Sequence, residues 1–176
     1  MAETLFGDNN PAGRLTVTFP RRVGQLPDYY NSDPSRVRKY VDDDGAPLYP
    51  FGFGLSYTSF RYDHLVVQQP APASAGEIKA TVEVTNSGDR SGDDVVQLYV
   101  QQEVGSVETP ARSLIGFLRI HLNPHETKTV TFQISTSQLA VWNAEKQWVT
   151  EPGKYVFWAG GSSEASLTAD LMIHSK

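Results

Sequence analysis

From about residue 60 onward, apolar and polar positions alternate in short stretches separated by turn residues. Between Glu77 and Thr85, Ile78, Ala80, Val82 and Val84 fall on one side, and Lys79, Thr81, Glu83 and Thr85 on the other. A period of two predicts a strand with one buried face. The same pattern recurs in Asp94 to Gln101 (Val96, Leu98, Val100), in Lys128 to Ile134 (Val130, Phe132, Ile134) and in a last strand through Leu167, Ala169, Leu171 and Ile173. Phe60 to Val67, the apolar run Arg112 to Leu122, and Tyr155-Val156-Phe157-Trp158-Ala159 complete the set. Between them lie Asn86-Ser87-Gly88-Asp89-Arg90-Ser91-Gly92, Glu151-Pro152-Gly153 and Gly160-Gly161-Ser162-Ser163, all turn chemistry. Asn123-Pro124-His125-Glu126 reads as a type I turn with proline second. Only Thr136 to Trp142 suggests a helical turn. About seven strands at this spacing predict an all-β, antiparallel sandwich.

The first 58 residues follow no such pattern. Arg14 to Phe19 reads as one strand ended by Pro20, followed by Pro27, Pro34, Pro47 and Pro50 and by Asp42-Asp43-Asp44 before Gly45. This stretch holds too little apolar surface to offset the entropy of ordering, so it leans on the sandwich or on a further domain, or stays partly mobile. Much of residues 21–48 is expected to be irregular. The organisation read from the pattern is a remnant over 1–20, an irregular aromatic-rich linker over 21–58 and a sandwich over 59–176.

Composition narrows the possibilities. The chain has 14 glycines, 11 prolines, no cysteine and a formal net charge of -5. The first two favour turns over long helices. The third excludes disulfides and thiolate-bound metals. The mild acidity argues against a nucleic-acid partner. No stretch approaches the roughly 20 apolar residues of a membrane span, and the start Met1-Ala2-Glu3-Thr4-Leu5-Phe6-Gly7 has no basic or apolar leader character. The expectation is a soluble chain with no export signal and no membrane partner, its compartment unassigned.

Candidate chemistry is sparse. Asp89, Asp93 and Asp94 beside a hairpin, and Glu103 and Glu108 in a loop, read as solvated surface charge. Asp42-Asp43-Asp44 offers oxygen ligands for calcium but lacks the alternating spacing of a calcium loop; a solvated acidic turn is the plainer reading. His64, His121, His125 and His174 show no metal-ligand spacing, and no serine sits in a nucleophile elbow. The paired glycines of Phe51-Gly52-Phe53-Gly54-Leu55-Ser56 precede a strand instead of opening a helix, which argues against nucleotide binding. Tyr29, Tyr30, Tyr40, Tyr49, Phe51, Phe53, Tyr57, Phe60 and Tyr62 crowd the first third. They read as a cover for the sandwich or an interdomain anchor, with a sugar-stacking surface as the alternative. Trp142, Trp148 and Trp158 read as core or core-edge residues. No catalytic, cofactor or metal residue is assigned.

Two stretches then point to a family. Gly7-Asp8-Asn9-Asn10-Pro11-Ala12-Gly13-Arg14-Leu15-Thr16-Val17-Thr18-Phe19-Pro20 resembles the segment that closes the α/β-sandwich domain of glycoside hydrolase family 3. Tyr49 to Phe60 resembles that family's linker into its fibronectin type III-like domain. Val84 to Gly88, Gly92 to Tyr99, Leu114-Ile115-Gly116-Phe117 and Gly160 to Ser163 are similar to parts of that domain. His125 stands where the family commonly has glycine, and Ser113 where an acidic residue is frequent. The resemblance implies an immunoglobulin/fibronectin type III-like sandwich. It implies a parent similar to β-glucosidases and β-xylosidases acting at non-reducing ends, whose nucleophilic aspartate and acid/base glutamate lie in regions outside this match. The partner so implied is the parent's catalytic domains. A free-standing carbohydrate-binding module and a protein-interaction sandwich remain as alternatives.

Overall fold

The computed structural model describes residues 2–32, 45–69 and 76–174. Seven strands of seven residues or more are β1 (Phe60–Gln68), β2 (Glu77–Asn86), β3 (Gly92–Gln102), β4 (Ser113–Leu122), β5 (Thr127–Ser135), β8 (Gly153–Gly160) and β9 (Leu167–Ile173). A two-residue pair, β6 (Val141–Trp142) and β7 (Trp148–Val149), forms a small hairpin between β5 and β8. The long strands make two antiparallel sheets, ordered β1-β2-β5 and β4-β3-β8-β9. The architecture is the antiparallel sandwich that the alternation predicts, of the fibronectin type III-like kind that the resemblance implies.

The core lies between the sheets. Ile78, Ala80, Val82 and Val84 of β2, with Val130, Phe132 and Ile134 of β5, are buried in one cluster with Val96, Leu98 and Val100 of β3 and Phe157 and Ala159 of β8. Each fully buried side chain of this kind contributes roughly 1.5–3 kcal/mol. After β5, a single 3-10 turn over Thr136–Leu139 is closed by a capping box: Ser135 Oγ accepts from the Ser137 amide, and Gln138 Oε1 accepts from the Ser135 amide.

Two local expectations are corrected. His125, third in the Asn123–Glu126 turn, has φ +59°, which belongs to a type II turn and not to type I. Trp142 and Trp148 are 51% and 70% exposed, outside the core. They sit opposite each other on β6 and β7 with rings edge to face, centroids 5.5 Å apart, so the hairpin is held by its own cross-strand pair. Trp158 is half-buried, its ring covered by the Arg112 guanidinium at 4.4 Å.

Ahead of the sandwich, helix α1 (Ala2–Phe6) buries none of its residues. The expected strand at Arg14 to Phe19 does not form. Leu15 and Phe19 instead make separate backbone contacts: the Leu15 amide donates to Phe53 (2.9 Å), the Gly52 amide to Leu15 (2.8 Å) and the Phe19 amide to Tyr49 (2.8 Å). Pro50 lacks an amide hydrogen and Gly52 has φ +80°, so the facing stretch cannot extend these contacts into a ladder. The described parts of residues 21–48 contain a 3-10 turn at Val23–Gln25 and no strand, and the Phe19–Tyr49 bridge lies just outside them. Asp42-Asp43-Asp44 and Tyr40 lie outside the described residues.

Candidate functional site

Along β3, positions 94, 96, 98 and 100 share one face, so Asp94 is carried inward at the end of the sandwich beside Val96. It is fully buried, which corrects its reading as a solvated surface acid. Arg14 Nη2 donates to Asp94 Oδ1 at 2.6 Å, the Val95 amide donates to the same oxygen at 2.9 Å, and the Tyr62 hydroxyl donates to Asp94 Oδ2. The Arg14 side chain is itself only 11% exposed. Burial, and then the negative charge of Asp94, pushes the Tyr62 phenol well above the usual tyrosine range. Burying an acidic side chain this deeply is costly, and the Arg14 guanidinium and two further donors offset that cost. The ion pair thereby ties the N-terminal stretch to the sandwich.

Further polar contacts extend the clamp. Asn10 Oδ1 accepts from Ser56 Oγ (2.9 Å) and from the Tyr57 amide (2.8 Å), while its Nδ2 donates to the Ser91 carbonyl (3.0 Å). Buried Asn86 accepts from Thr58 Oγ1 and donates to the Arg90 and Leu122 carbonyls. On the outer face of β3, Gln97 Nε2 donates to the carbonyls of Gly52 (3.2 Å) and Gly161 (2.6 Å), and the Tyr99 hydroxyl donates to Gln97 Oε1. β3 is thus buried on both faces, one by the core and the other by the N-terminal stretch.

The paired glycines acquire a purpose here. A Cβ on Gly52 would stand 2.1 Å from Gln97 Oε1, and one on Gly54 would stand 2.3 Å from the Gly13 carbonyl oxygen and 2.5 Å from Arg14 Nη1. Backbone approaches this close admit only glycine. Among the described aromatics of this stretch, Tyr30, Phe51, Phe53, Phe60 and Tyr62 are half-buried, while Tyr29, Tyr49 and Tyr57 are exposed. Tyr30 stacks on Phe51 (4.3 Å) and meets Tyr99 edge-on (6.1 Å), Tyr49 stacks on Phe53 (5.1 Å), and Phe19 meets Tyr49 edge-on (6.4 Å). Arg90 lies over Tyr57, and Phe60 and Tyr62 pack against the core from β1.

The other candidates stay apart. Asp89 pairs with His125 (3.2 Å), Glu103 with Lys154 (3.2 Å) and His64 with Glu83 (2.9 Å), all at the surface. Asp93 takes His121 at 2.6 Å and Arg119 at 2.5 Å, and these donors hold its carboxyl below the usual range. Glu108 and His174 are exposed. Among the described residues no three His, Asp or Glu side chains group as a metal site, and no helix is long and apolar enough to cross a membrane. A cleft of about 380 Å³ opens over the clamp, and Asp94 is the single carboxylate on its wall.

The burial of Asp94 has a signal in the sequence. Its parity with Val96 and Leu98 places it on the buried face. The run Val95-Val96-Gln97-Leu98-Tyr99-Val100 is apolar on the inner face and carries Val95 and Tyr99 beside Gln97 on the outer one, which suits a strand covered on both sides. No local pattern identifies Arg14 as the partner, because the pair is 80 residues apart in the chain.

Residues 1–57 match the glycosyl hydrolase family 3 C-terminal domain, and residues 94–163 match the fibronectin type III-like domain. The chain is 41% identical over 174 residues to a periplasmic β-glucosidase of Salmonella typhimurium, covering 93% of this chain and 23% of that protein. It is 43% identical over 169 residues to a β-xylosidase of Formosa agariphila, covering 94% and 23%. Among solved structures, a β-glucosidase from Erythrobacter marinus superposes with a TM-score of 0.89 at 40% identity, over 97% of this chain and 23% of that one. A β-glucosidase from Listeria innocua superposes with a TM-score of 0.85 at 31% identity, over 97% and 25%. The chain therefore spans about a quarter of the length of the relatives it matches. Two domain descriptions, met in order and joined by the Arg14–Asp94 clamp, place it: the chain belongs to glycosyl hydrolase family 3, as part of the C-terminal domain together with the fibronectin type III-like domain.

Proposed function

We propose that this chain is the non-catalytic accessory region of a β-glycosidase that removes glucose or xylose from non-reducing ends, and that it stabilises or docks to the catalytic domains. The observation that carries the reading is the clamp itself. The N-terminal stretch is fastened through a buried ion pair, yet much of its own apolar surface faces water. Of the 18 large apolar residues exposed among those described, 11 lie in it, including Phe6, Val23, Tyr29 and Leu55. A surface held rigidly on one side and apolar on the other suits contact with a further domain. The division that goes with this reading is a domain remnant over 1–20, a linker over 21–58 and the sandwich over 59–176.

The chemistry agrees. Retaining glycoside hydrolysis needs two carboxyl groups about 5 Å apart across the sugar. The cleft over the clamp offers one, and that one is neutralised by Arg14. The purified chain is expected to leave aryl β-glucosides and β-xylosides unhydrolysed, and turnover at enzymic rates would refute the reading. In a longer protein carrying the preceding domains, Arg14→Met should lower thermal stability, and with it the temperature at which activity is lost, with little effect on KM.

A further inference from the structure

The apolar surface of the N-terminal stretch contains one acid without a partner. Val23, Leu26 and Tyr29 are 83%, 50% and 64% exposed, and half-buried Asp28 follows them closely in the chain. Its Oδ2 accepts no hydrogen bond. Burial pushes its carboxyl up, and no positive charge among the described residues brings it back. Asp93 and Asp94, likewise withdrawn from water, each hold an arginine.

Asp28 lines a pocket of about 190 Å³ that reaches the loop between β8 and β9. Tyr29, Tyr30, Pro47 and Pro50 give it flat apolar walls, and exposed Glu164 adds a second carboxylate. None of the residues lining it is basic. The floor is fixed, because Tyr30 stacks on Phe51 and its hydroxyl accepts from the Leu114 amide. An anion would be repelled here, and a neutral group would leave the charge without compensation. A cation in the pocket acts on the carboxylate through space and need not reach the enclosed oxygen. Among cationic side chains a guanidinium suits these walls best, being planar, weakly hydrated and able to stack on aromatic rings.

We propose that this pocket receives an arginine side chain of the catalytic domains, its guanidinium lying against Asp28. The proposal rests on the docking reading above and gives it a partner: the apolar rim supplies contact area, and Asp28 sets the register. The chain covers 23% of the length of its relatives, and the donor belongs to the remainder.

Two measurements test it, one on this chain and one on a longer protein carrying the catalytic domains. In the chain alone, ethylguanidinium stands in for the arginine head and N-ethylurea for its uncharged counterpart, with the Asp28 and Tyr29 backbone amides followed by NMR. Saturable shifts are expected with ethylguanidinium, with Kd on the order of 10 mM, and none with N-ethylurea. Asp28→Asn should weaken the binding about ten-fold. Absence of a saturable shift, or an unchanged one in the variant, would overturn the proposal. In the longer protein, Asp28→Asn should lower the thermal midpoint by about 2–4 °C. In this chain alone it should not lower it, and a fall of the same size there would overturn the proposal. Val23→Asp checks the docking reading separately, since it should lower the midpoint of the longer protein and not that of the chain. If Val23→Asp does so and Asp28→Asn does not, the surface docks without the arginine and this proposal alone fails. If neither does, the docking reading fails with it.

Discussion

Arg14 and Asp94 illustrate how strongly a single buried charge depends on its partner. With Asp94 fully enclosed, Arg14→Met leaves an uncompensated carboxylate, and the expected loss is about 3–5 kcal/mol in urea unfolding. Replacing both residues by apolar ones should cost less than the single change, because the stranded charge goes too. A loss below about 1 kcal/mol for Arg14→Met would show that the pair is not a buried one. The tyrosines offer a second measurement at this scale. Burial pushes the phenols of Tyr62, Tyr99 and Tyr155 upward, with Asp94 adding to the effect at Tyr62. Below pH about 10 these groups are protonated in both folded and unfolded chains, so their contribution is constant. Above it the unfolded chain releases protons that the folded chain retains, so stability falls as pH rises. Of the eight tyrosines, Tyr62 and Tyr99 are expected to ionise only with unfolding in a spectrophotometric titration, and Tyr155 above the usual tyrosine range. Tyr62→Phe should flatten the alkaline loss of stability; eight phenols titrating smoothly in an intact fold would contradict this.

Elements are set here by short-range pattern and adjusted by local geometry. β2 is legible residue by residue, because its alternation of Ile78, Ala80, Val82 and Val84 with polar neighbours leaves one register that buries the apolar set. The β4–β5 turn is legible as a turn, but its type depends on the φ that the strands impose on its third residue. At φ +59°, His125 carries a left-handed strain of about 1–2 kcal/mol. His125→Gly is therefore expected to stabilise the chain by about 1 kcal/mol in urea denaturation, since the His125–Asp89 pair it removes is exposed and worth little. A destabilised variant would place the value of His125 in its side chain. Trp142 and Trp148 depart from the core placement that their size suggests, because a two-residue strand pair has no core to offer and packs its indoles on each other.

For the whole molecule, the decisive feature is that the irregular N-terminal stretch completes the sandwich. It covers Gln97 and Tyr99 on the outer face of β3 and neutralises Asp94 at the sandwich end. A chain beginning at residue 59 is expected to lose several kcal/mol, of which about 3–5 comes from the unpaired Asp94, and to bind a hydrophobic dye at the uncovered face. Urea unfolding indistinguishable from that of the full chain would show that the stretch is a passive tail.

The amino-acid sequence by itself determined the seven long strands, where the turns between them fall and the family, because each of these rests on period-two alternation, on glycine and proline placement, or on short contiguous motifs. It also determined the poverty of the first 58 residues in core-forming pattern. Only the tertiary structure decided what that stretch does. What neutralises the buried acid, why Gly52 and Gly54 are glycines, and what covers the outer face of β3 all depend on pairs far apart in the chain. No periodicity records such pairs, since the energy that selects them appears only when the two segments exclude water from each other.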